Sequence, residues 1–375
     1  DERSNDLNQS AKFWLFRRDY MTKARLLLTK LNKVSGPEKE SLIQFIDKIN
    51  KENSNRYNTF LYNLTSSSAR NVKEVKPIYS DNAELVDGRI ILRDNFHQMF
   101  EDIPEAMIFG EDVGKIGGVN QGVEGMQEKF GEERVADTGI RETTILGQGI
   151  GLSLRGLRPI AEIQYLDYLL YAFQTMADDL ASLHYRTYGG QISPVIIRTR
   201  GHRLEGIWHS GSPMGMIING TRGVNICVPR DMTRAAGFYN TLMISDEPAM
   251  VIECLNGYRT KEKMPSNIGE FRTPLGVIEV TKTGNDITLV SYGSTWRIVN
   301  DAANELEKLG ISCEVIDIQS IVPFDLNCEI VESVKKTNRL LVVDEDVPGG
   351  ASAYILQKII EDQKAYEYLD SSPST

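Results

Sequence analysis

The sequence lacks the features that mark several common classes of protein. It has no run of about 18 uncharged apolar residues, so no membrane-spanning helix is expected. The N-terminal residues include no apolar segment of the kind found in secretory signals, so no such signal is predicted. Neither a GxxxxGK[ST] loop nor a GxGxxG turn occurs, which excludes the common nucleotide-binding loops and a nicotinamide dehydrogenase of the Rossmann type. Histidine occurs only four times and without an HExxH pair, so no metal site is predicted.

Basic residues are in deficit over most of the chain. Lys and Arg total 42 against 52 for Asp and Glu, which gives a net charge of −10. The first 80 residues carry 15 basic and 9 acidic side chains, so residues 81–375 carry a net charge of −16. An acidic body of this kind argues against nucleic-acid binding. The basic N-terminal segment is interpreted as a solvated arm, with docking to an acidic partner as the alternative.

Cysteine is scarce as well, and its spacing excludes a disulfide framework. The chain has four cysteines, with no CxxC pair among them. They are predicted to be reduced and mostly buried, which is typical of a cytoplasmic protein. They are Cys227, Cys254, Cys313 and Cys328.

Hydrophobic periodicity divides the chain into three predicted parts, residues 1–85, 86–273 and 274–375. The first part contains two amphipathic helices, the second of which begins near Pro37 after a capping-box pattern. A polar linker is predicted from residue 51. The two helices have little core of their own, so their apolar faces are expected to pack on another surface.

From residue 86 onward, short apolar runs alternate with helical segments, which predicts an α/β domain with a mainly parallel sheet. The predicted strands cover residues 107–110, 158–163, 195–199, 224–228 and 249–253, and the predicted helices cover residues 91–102, 142–154, 171–185 and 230–243. A second α/β unit follows, with predicted strands at 286–292, 313–318 and 339–344 and a helix at 295–309. Three strands are few for such a unit, so a truncated domain is expected.

Three stretches could carry chemistry. Residues 110–114 (GEDVG) place two carboxylates after a strand, where ligands bind in α/β sheets. Glu142 stands at the start of an apolar helix, and His209 lies in a polar loop where it could act as an acid or base. From the residues alone the structural alternatives are favoured: a solvated turn, a carboxylate that offsets the helix dipole and a structural histidine. The glycines at 147, 149 and 151 lie within a helical pattern and are interpreted as close-packing positions.

Together these stretches resemble the beta subunit of the thiamine-diphosphate-dependent first component of 2-oxo acid dehydrogenase complexes. The order and spacing of the motifs hold over residues 86–370. The motifs are GEDVG at 110–114, DTxIxE at 137–142, GLRPIAEI at 156–163, the aromatic stretch at 165–171, HS at 209–210, VPxD at 228–231, VPFD at 322–325 and the glycine pair at 349–350. The resemblance implies a transketolase-like pyrimidine-binding domain and then a transketolase C-terminal-like α/β domain, preceded by the helical extension.

The resemblance also implies roles for individual residues. Glu142 matches the catalytic glutamate that hydrogen-bonds the aminopyrimidine of thiamine diphosphate, where a buried, protonated carboxyl favours the imino tautomer. His209 matches a catalytic histidine near the substrate carboxylate that also acts in acyl transfer to lipoamide. Tyr168 matches an aromatic residue, more often Phe, that packs on the pyrimidine. Glu111 and Tyr171 are further cofactor-binding candidates, although the family has glutamine or a similar residue where Tyr171 stands.

The resemblance further implies partners, because part of the family's cofactor site is missing from this sequence. The family holds the diphosphate and Mg²⁺ through a GDG motif and a distant Asn pair, and the chain has neither. An alpha subunit or alpha domain is therefore expected to supply that half, and the chain alone is expected to be inactive. The basic N-terminal extension suggests the second half of a fused alpha–beta chain. A lipoyl acyltransferase core and a second beta half are the other expected partners; no nucleic acid or membrane is expected.

The implied function is oxidative decarboxylation of a 2-oxo acid, with a branched-chain substrate such as 2-oxoisovalerate as the first expectation. Pyruvate and acetoin dehydrogenases remain alternatives, since the substrate pocket is shared with the missing half. A relative of transketolase or deoxyxylulose phosphate synthase is a further alternative, although those enzymes carry the diphosphate motif in the same chain. A non-catalytic scaffold that retains the fold is the alternative outside enzymes.

Overall fold

The structure is a computed structural model that describes residues 17–58, 60–201 and 213–375. The chain forms two compact units, which divide between Thr59 and Phe60. In the first unit, α1 (Arg17–Lys30) and α2 (Pro37–Asn58) pack on each other around a small apolar core. The buried residues of that core are Met21, Ala24 and Ile46.

The start of α2 at Pro37 is confirmed, but the linker predicted from residue 51 is wrong over its first residues. Helix α2 continues to Asn58. Residues 51–58 are polar, yet they include no Gly or Pro, and Lys, Glu and Arg are good helix formers. Polarity alone therefore does not end this helix.

The second unit contains thirteen strands and nine α-helices among its described residues. The strands are β1 (Leu85–Asp87), β2 (Ala106–Gly110), β3 (Val135–Asp137), β4 (Arg158–Glu162), β5 (Ile196–Gly201), β6 (Asn225–Cys227), β7 (Ala249–Cys254), β8 (Lys261–Lys263), β9 (Glu279–Lys282), β10 (Ile287–Ser291), β11 (Cys313–Asp317), β12 (Ser320–Val322) and β13 (Leu340–Val342). The helices are α3 (Gly88–Asp102), α4 (Met126–Phe130), α5 (Glu142–Leu154), α6 (Leu183–Arg186), α7 (Met214–Gly220), α8 (Met232–Met243), α9 (Gly293–Lys308), α10 (Glu329–Thr337) and α11 (Ala351–Gln357).

Seven strands form the central sheet, in the order β12-β6-β7-β5-β4-β2-β3. All neighbours are parallel except β12, which pairs antiparallel with β6 at one edge. Buried apolar side chains cover both faces of this sheet, which is the arrangement that the alternating pattern predicts. The predicted parallel α/β fold is confirmed.

A second sheet has the order β13-β10-β11-β9, with β9 antiparallel to β11. Three of its strands were predicted, and β9 was missed because its residues are mostly half-exposed and polar. Strand β12 lies beyond the predicted boundary at residue 273, yet it joins the central sheet rather than this one. Ser374 makes a parallel bridge with Leu341.

The single helix predicted at 171–185 is wrong. The structure has a 3-10 turn (Leu166–Ala172), a π-helical turn (Thr175–Leu180) and the short α6. The buried residues Leu166, Leu169 and Ala172 recur every three positions, which suits a 3-10 rather than an α-helical turn.

Arginines from the central-sheet part of the unit form ion pairs with the second sheet. Arg230 lies 2.5 Å from Asp317 and 2.8 Å from Glu279, and its guanidinium stacks over the ring of Trp296. Arg234 lies 2.6 Å from the same Glu279. The VPxD motif therefore supplies a partly buried ionic contact between the two sheets.

Residues 60–82, which we call the strap, are not a free linker, and that part of the linker prediction is wrong. The strap lies along the central-sheet domain, where Val75 exchanges backbone hydrogen bonds with Arg272 and the Ile78 carbonyl accepts one from the backbone of Ser266. The buried carboxylate of Glu247 accepts hydrogen bonds from the backbone of Asn63 (3.0 Å) and Ala69 (2.7 Å). The polar, turn-forming residues of the strap are thus held in place by a hydrogen-bond acceptor that is distant in the sequence.

Replacing Glu247 by alanine is expected to release the strap. The change would leave the Asn63 and Ala69 backbone donors buried without an acceptor, at a cost of about 2 kcal/mol in the free energy of unfolding. Limited proteolysis within residues 60–82 should accelerate, and urea denaturation should report the loss of stability. Glu105→Ala, at an exposed site, is the control, and equal behaviour of the two variants would contradict the role given to Glu247.

Two carboxylates cap the N-terminus of α8. Glu262 accepts hydrogen bonds from the backbone N–H groups of Met232 and Thr233, both at 2.9 Å, and Asp231 accepts one from Arg234 at 2.7 Å. Burial, together with the nearby charge of Asp231, raises the pKa of Glu262 to about 7. The folded protein therefore holds this proton more tightly than the unfolded chain does.

The stabilising effect of that proton is expected to disappear as the pH rises from about 4.5 to about 7. Glu262→Gln cannot lose a proton, so the stability of the native protein relative to this variant should fall by at most about 3 kcal/mol across that window. Urea unfolding of both proteins at pH 5 and pH 8 measures the difference. A difference that does not change with pH would contradict the prediction.

Two smaller findings concern membrane-spanning helices and the cysteines. Within the described ranges every helix is too short or too polar to cross a membrane. All four cysteines are free, and three of them are buried, as predicted; Cys328 is exposed.

Candidate active site

Three strands of the central sheet end level with one another. Gly110, the last residue of β2, stands opposite Asp137 of β3 on one side and Glu162 of β4 on the other. The chain passes from β2 outward to β3 and then returns across β2 to β4, so the strand order reverses at this point. Ligands bind at such a reversal in open α/β sheets, in the crevice outside the carboxyl ends of the strands.

Three of the predicted site residues meet at this crevice. Glu111 follows β2, Glu142 is the first residue of α5, and Tyr168 lies in the 3-10 turn after β4. Burial, followed by the charges of Asp112 and Glu142, raises the pKa of Glu111. Burial also raises the pKa of Tyr168, with contributions from Glu111 and Glu142. Because the carboxylates of Glu111 and Glu142 both contribute to the raised pKa of Tyr168, we call Glu111, Glu142 and Tyr168 the acidic–aromatic cluster.

Glu142 is the most deeply placed carboxylate of the cluster. Only 8% of its surface is exposed. It occupies the first turn of the 13-residue helix α5, whose N-terminal N–H groups carry a partial positive charge. Helix α5 packs closely on the sheet at Gly149, where a Cβ would lie 2.8 Å from Val195, whereas Gly147 and Gly151 face open space. The close-packing interpretation is therefore confirmed for Gly149 alone.

The structure does not bring the side chain of Tyr171 to the cluster. The backbone carbonyl of Tyr171 accepts a hydrogen bond from the Thr143 hydroxyl, which ties the turn after β4 to the start of α5. Its side chain is 71% exposed and makes no described contact with the cluster. His209 lies outside the described residues, so its predicted role stays a prediction.

The loop after β2 is held in one conformation by acidic side chains. Asp112 has a positive φ of 61° and accepts a hydrogen bond from the Gln164 side chain at 3.2 Å. Asp137 accepts one from the backbone of Gly114 at 2.6 Å. Asp137 of the DTxIxE motif therefore holds the loop that carries Glu111, a role that the sequence did not indicate.

A buried ion network lies beneath this loop, and sequence reasoning missed it. Arg198 donates two hydrogen bonds to Glu253, at 2.8 and 3.1 Å, and one to Glu162 at 2.5 Å. Arg200 donates to Glu162 at 2.6 Å and to the hydroxyl of Tyr258 at 3.0 Å. These four charged side chains are at most 1% exposed. The signal was present, because the strands IIRTRG and AMVIEC carry charges inside otherwise buried runs.

The network is electrostatically balanced despite its burial. Burial opposes the charged form of Arg198, but the carboxylates of Glu253 and Glu162 outweigh it and raise the pKa of the guanidinium. Burial likewise opposes ionisation of Glu253, and Arg198 reverses that effect and lowers its pKa. The loop above can approach because residue 122 is glycine: a Cβ there would lie 2.7 Å from the Arg198 guanidinium.

An open groove of about 360 Å³ adjoins the start of α5. Residues on either side of Glu142 line it, among them Asp137, Thr138, Arg141 and Thr144. The Thr138 hydroxyl is buried and has no hydrogen-bond partner among the described residues. The start of α5 therefore adjoins an open surface groove.

Two protein-family models match the chain. The pyrimidine-binding domain of transketolase matches residues 86–260, and the C-terminal domain of transketolase matches residues 276–374. The acidic–aromatic cluster lies entirely within the first match.

Curated relatives extend this similarity. The chain is 36% identical over 263 residues to the pyruvate dehydrogenase E1 component subunit beta of Staphylococcus epidermidis, covering 68% of this chain and 79% of the relative. It is 33% identical over 263 residues to the 2-oxoisovalerate dehydrogenase subunit beta of Bacillus subtilis, covering 69% and 79%. Among solved structures, a split-gene transketolase described as an inactive beta4 tetramer matches 77% of this chain and 86% of its own, with a TM-score of 0.60 and 20% identity. At 20% identity, this structural likeness supports the assignment of the fold alone.

Proposed function

The chain belongs to the beta subunits of the thiamine-diphosphate-dependent first components of 2-oxo acid dehydrogenases, and from that premise we propose that it forms the pyrimidine-binding half of such an enzyme. It would decarboxylate a 2-oxo acid and pass the acyl group to a lipoyl acceptor. The observation that carries the proposal is the convergence of Glu111, Glu142 and Tyr168 at the strand reversal.

The residues present fit the aminopyrimidine part of thiamine diphosphate. The Glu142 carboxyl is buried, Tyr168 lies within electrostatic reach of Glu142, and a groove opens at the start of α5. A pyrimidine needs a hydrogen-bond partner at its ring nitrogen and a flat apolar wall, and Glu142 and Tyr168 are of those two types. The Mg²⁺ ion and the diphosphate would be held by an alpha half, because the chain has neither a GDG motif nor an Asn pair.

In this proposal each side chain has a distinct task. The Glu142 carboxyl would hold the aminopyrimidine by a hydrogen bond to its ring nitrogen. The ring of Tyr168 would pack on the pyrimidine and exclude water from it. Glu111 lies close enough to Glu142 for the Glu142 charge to contribute, after burial and Asp112, to the raised pKa of Glu111. When bound, the cofactor supplies an electron sink that makes loss of carbon dioxide from the 2-oxo acid possible. His209 would act at the substrate carboxylate and in acyl transfer.

The substrate proposed first is a branched-chain 2-oxo acid such as 2-oxoisovalerate. Pyruvate remains a candidate, because relatives named for pyruvate and for 2-oxoisovalerate match over the same length at 36% and 33% identity. Acetoin is the remaining alternative. An acyltransferase core bearing lipoyl groups and a second beta half are the proposed further partners. A cytoplasmic location stays a prediction.

The test is an activity screen of the assembled enzyme. The chain is produced together with the diphosphate-binding alpha half, and 2-oxoisovalerate, pyruvate and acetoin are supplied in turn with Mg²⁺, thiamine diphosphate and a lipoylated acceptor domain. Release of carbon dioxide from a 2-oxo acid in the mixture, with none from either half alone, is expected. A folded, assembled mixture that turns over none of these substrates would contradict the proposal.

A further inference from the structure

A second cavity lies between the strap, α7 and the C-terminal end of α11. Its volume is about 520 Å³, which is within the range of small-molecule sites. It shares no lining residue with the acidic–aromatic cluster. Its main polar and aromatic residues, which define what we call the cationic groove, are Tyr62, Arg70, Arg222, Phe324, Tyr354 and Lys358.

The charges in the groove do not balance. Lys358 is paired with Asp362, at 2.6 Å, and Asp362 is the single acidic residue among those that line the cavity. Arg70 and Arg222 form no ion pair with any carboxylate in the described parts of the chain, and the Arg70 Nε is buried without a hydrogen-bond partner there. Two guanidinium groups in one cavity, with no carboxylate partner in the described parts of the chain, indicate an anionic ligand. Guanidinium groups suit phosphate oxygens in particular.

Aromatic rings form the rest of the wall. The Arg70 guanidinium stacks 4.3 Å from the centre of the Tyr62 ring. The rings of Phe324 and Tyr354 meet edge to face, with their centres 6.3 Å apart. Burial raises the pKa of Tyr354 to about 12, so its hydroxyl stays a neutral donor. Flat rings beside cations suit a ligand that joins a planar base to phosphate groups.

We propose that the cationic groove binds a nucleoside phosphate, either a free nucleotide or the nucleotide end of coenzyme A. The phosphates would contact Arg70 and Arg222, and the base would lie against the Tyr354 and Phe324 rings. This site is independent of the proposed function, because it uses none of the residues assigned to thiamine diphosphate.

The experiment titrates the full chain with ADP, ATP, coenzyme A, inorganic phosphate and a poly-glutamate peptide by calorimetry, without thiamine diphosphate or a 2-oxo acid. Saturable binding of a nucleotide or of coenzyme A is expected, with inorganic phosphate much weaker. Comparing ADP with coenzyme A distinguishes the free from the coenzyme-bound form. Arg222→Met should weaken this binding by roughly tenfold or more, since a hydrogen bond to a charged group is lost.

Two variants keep the result interpretable. Arg222 is exposed, so Arg222→Met should retain the melting temperature of the native chain, which circular dichroism checks. Arg339→Met removes a half-exposed arginine that pairs with Asp370, outside the groove, and should not change nucleotide binding. Equal loss of binding in both variants would overturn the proposal.

Other outcomes would also overturn it. Absence of saturable nucleotide binding, binding of phosphate as tight as that of the nucleotides, or tighter binding of the acidic peptide would each exclude the proposed ligand class. Displacement of the nucleotide by thiamine diphosphate in the assembled enzyme would assign the binding to the cofactor site instead.

Discussion

Replacing Glu142 by glutamine is expected to lower 2-oxo acid turnover of the assembled enzyme by at least about a thousandfold, within the range that positioned proton transfer contributes. The side chain keeps its size and its buried place at the start of α5, so the fold should be retained. The lost property is an acidic proton. An amide N–H has no comparable acidity and cannot stabilise the imino tautomer that the proposed mechanism needs.

The measurement is the kcat of carbon dioxide release in the assembled enzyme, together with the Kd for thiamine diphosphate. Glu142→Gln should reduce kcat while changing the Kd much less, because the diphosphate contacts are proposed to belong to the alpha half. Glu128→Gln, at an exposed position of α4, is the matched control and should behave like the native chain. Turnover of Glu142→Gln within tenfold of the native rate would contradict the role proposed for this residue.

Replacing Arg198 by methionine is expected to destabilise the chain by about 3–5 kcal/mol, the largest effect on folding predicted for this protein. Methionine roughly fills the volume of the arginine side chain. It leaves two buried carboxylates, Glu162 and Glu253, without the guanidinium of Arg198. Breaking a buried pair costs more than the pair contributes, because the remaining charges cannot return to water. The loop that carries Glu111 lies directly above, at Gly122, so it should loosen as well.

Urea denaturation measures this effect, and the exposed pair between Arg339 and Asp370 supplies the comparison. Arg339→Met removes the same type of side chain where both partners are about half exposed, so a loss of no more than about 1 kcal/mol is expected. Equal losses for Arg198→Met and Arg339→Met would show that the buried network does not stabilise the domain.

The elements that sequence reasoning located are those whose pattern is local. Helix α5 was predicted at residues 142–154 and is found there, because its apolar periodicity begins at Glu142 and ends before a Gly with positive φ at 156. The buried strands β2, β4, β5 and β7 were also found, since runs of branched apolar residues between helical segments are typical of parallel sheets. Glu111, Glu142 and Tyr168 were proposed together from the family resemblance, and all three follow neighbouring strands β2, β3 and β4 of the sheet.

The elements that sequence reasoning missed depend on distant partners. The strap is polar and resembles a linker, yet the carboxylate of Glu247, far along the chain, orders it. Strand β12 has only three residues, and no local signal shows that it pairs with β6 rather than with the sheet it follows. The charges of Arg198 and Arg200 conflict with burial until Glu162 and Glu253 are placed beside them. Such residues can be found only when the pairing of strands is known.

The most direct test of the split cofactor site is calorimetric titration of magnesium–thiamine diphosphate into this chain, first alone and then with the diphosphate-binding alpha half. The account predicts saturable binding only in the mixture, because this chain supplies the pyrimidine contacts and lacks the diphosphate motif. Tight binding by the chain alone, or no binding when both folded halves are present, would contradict it.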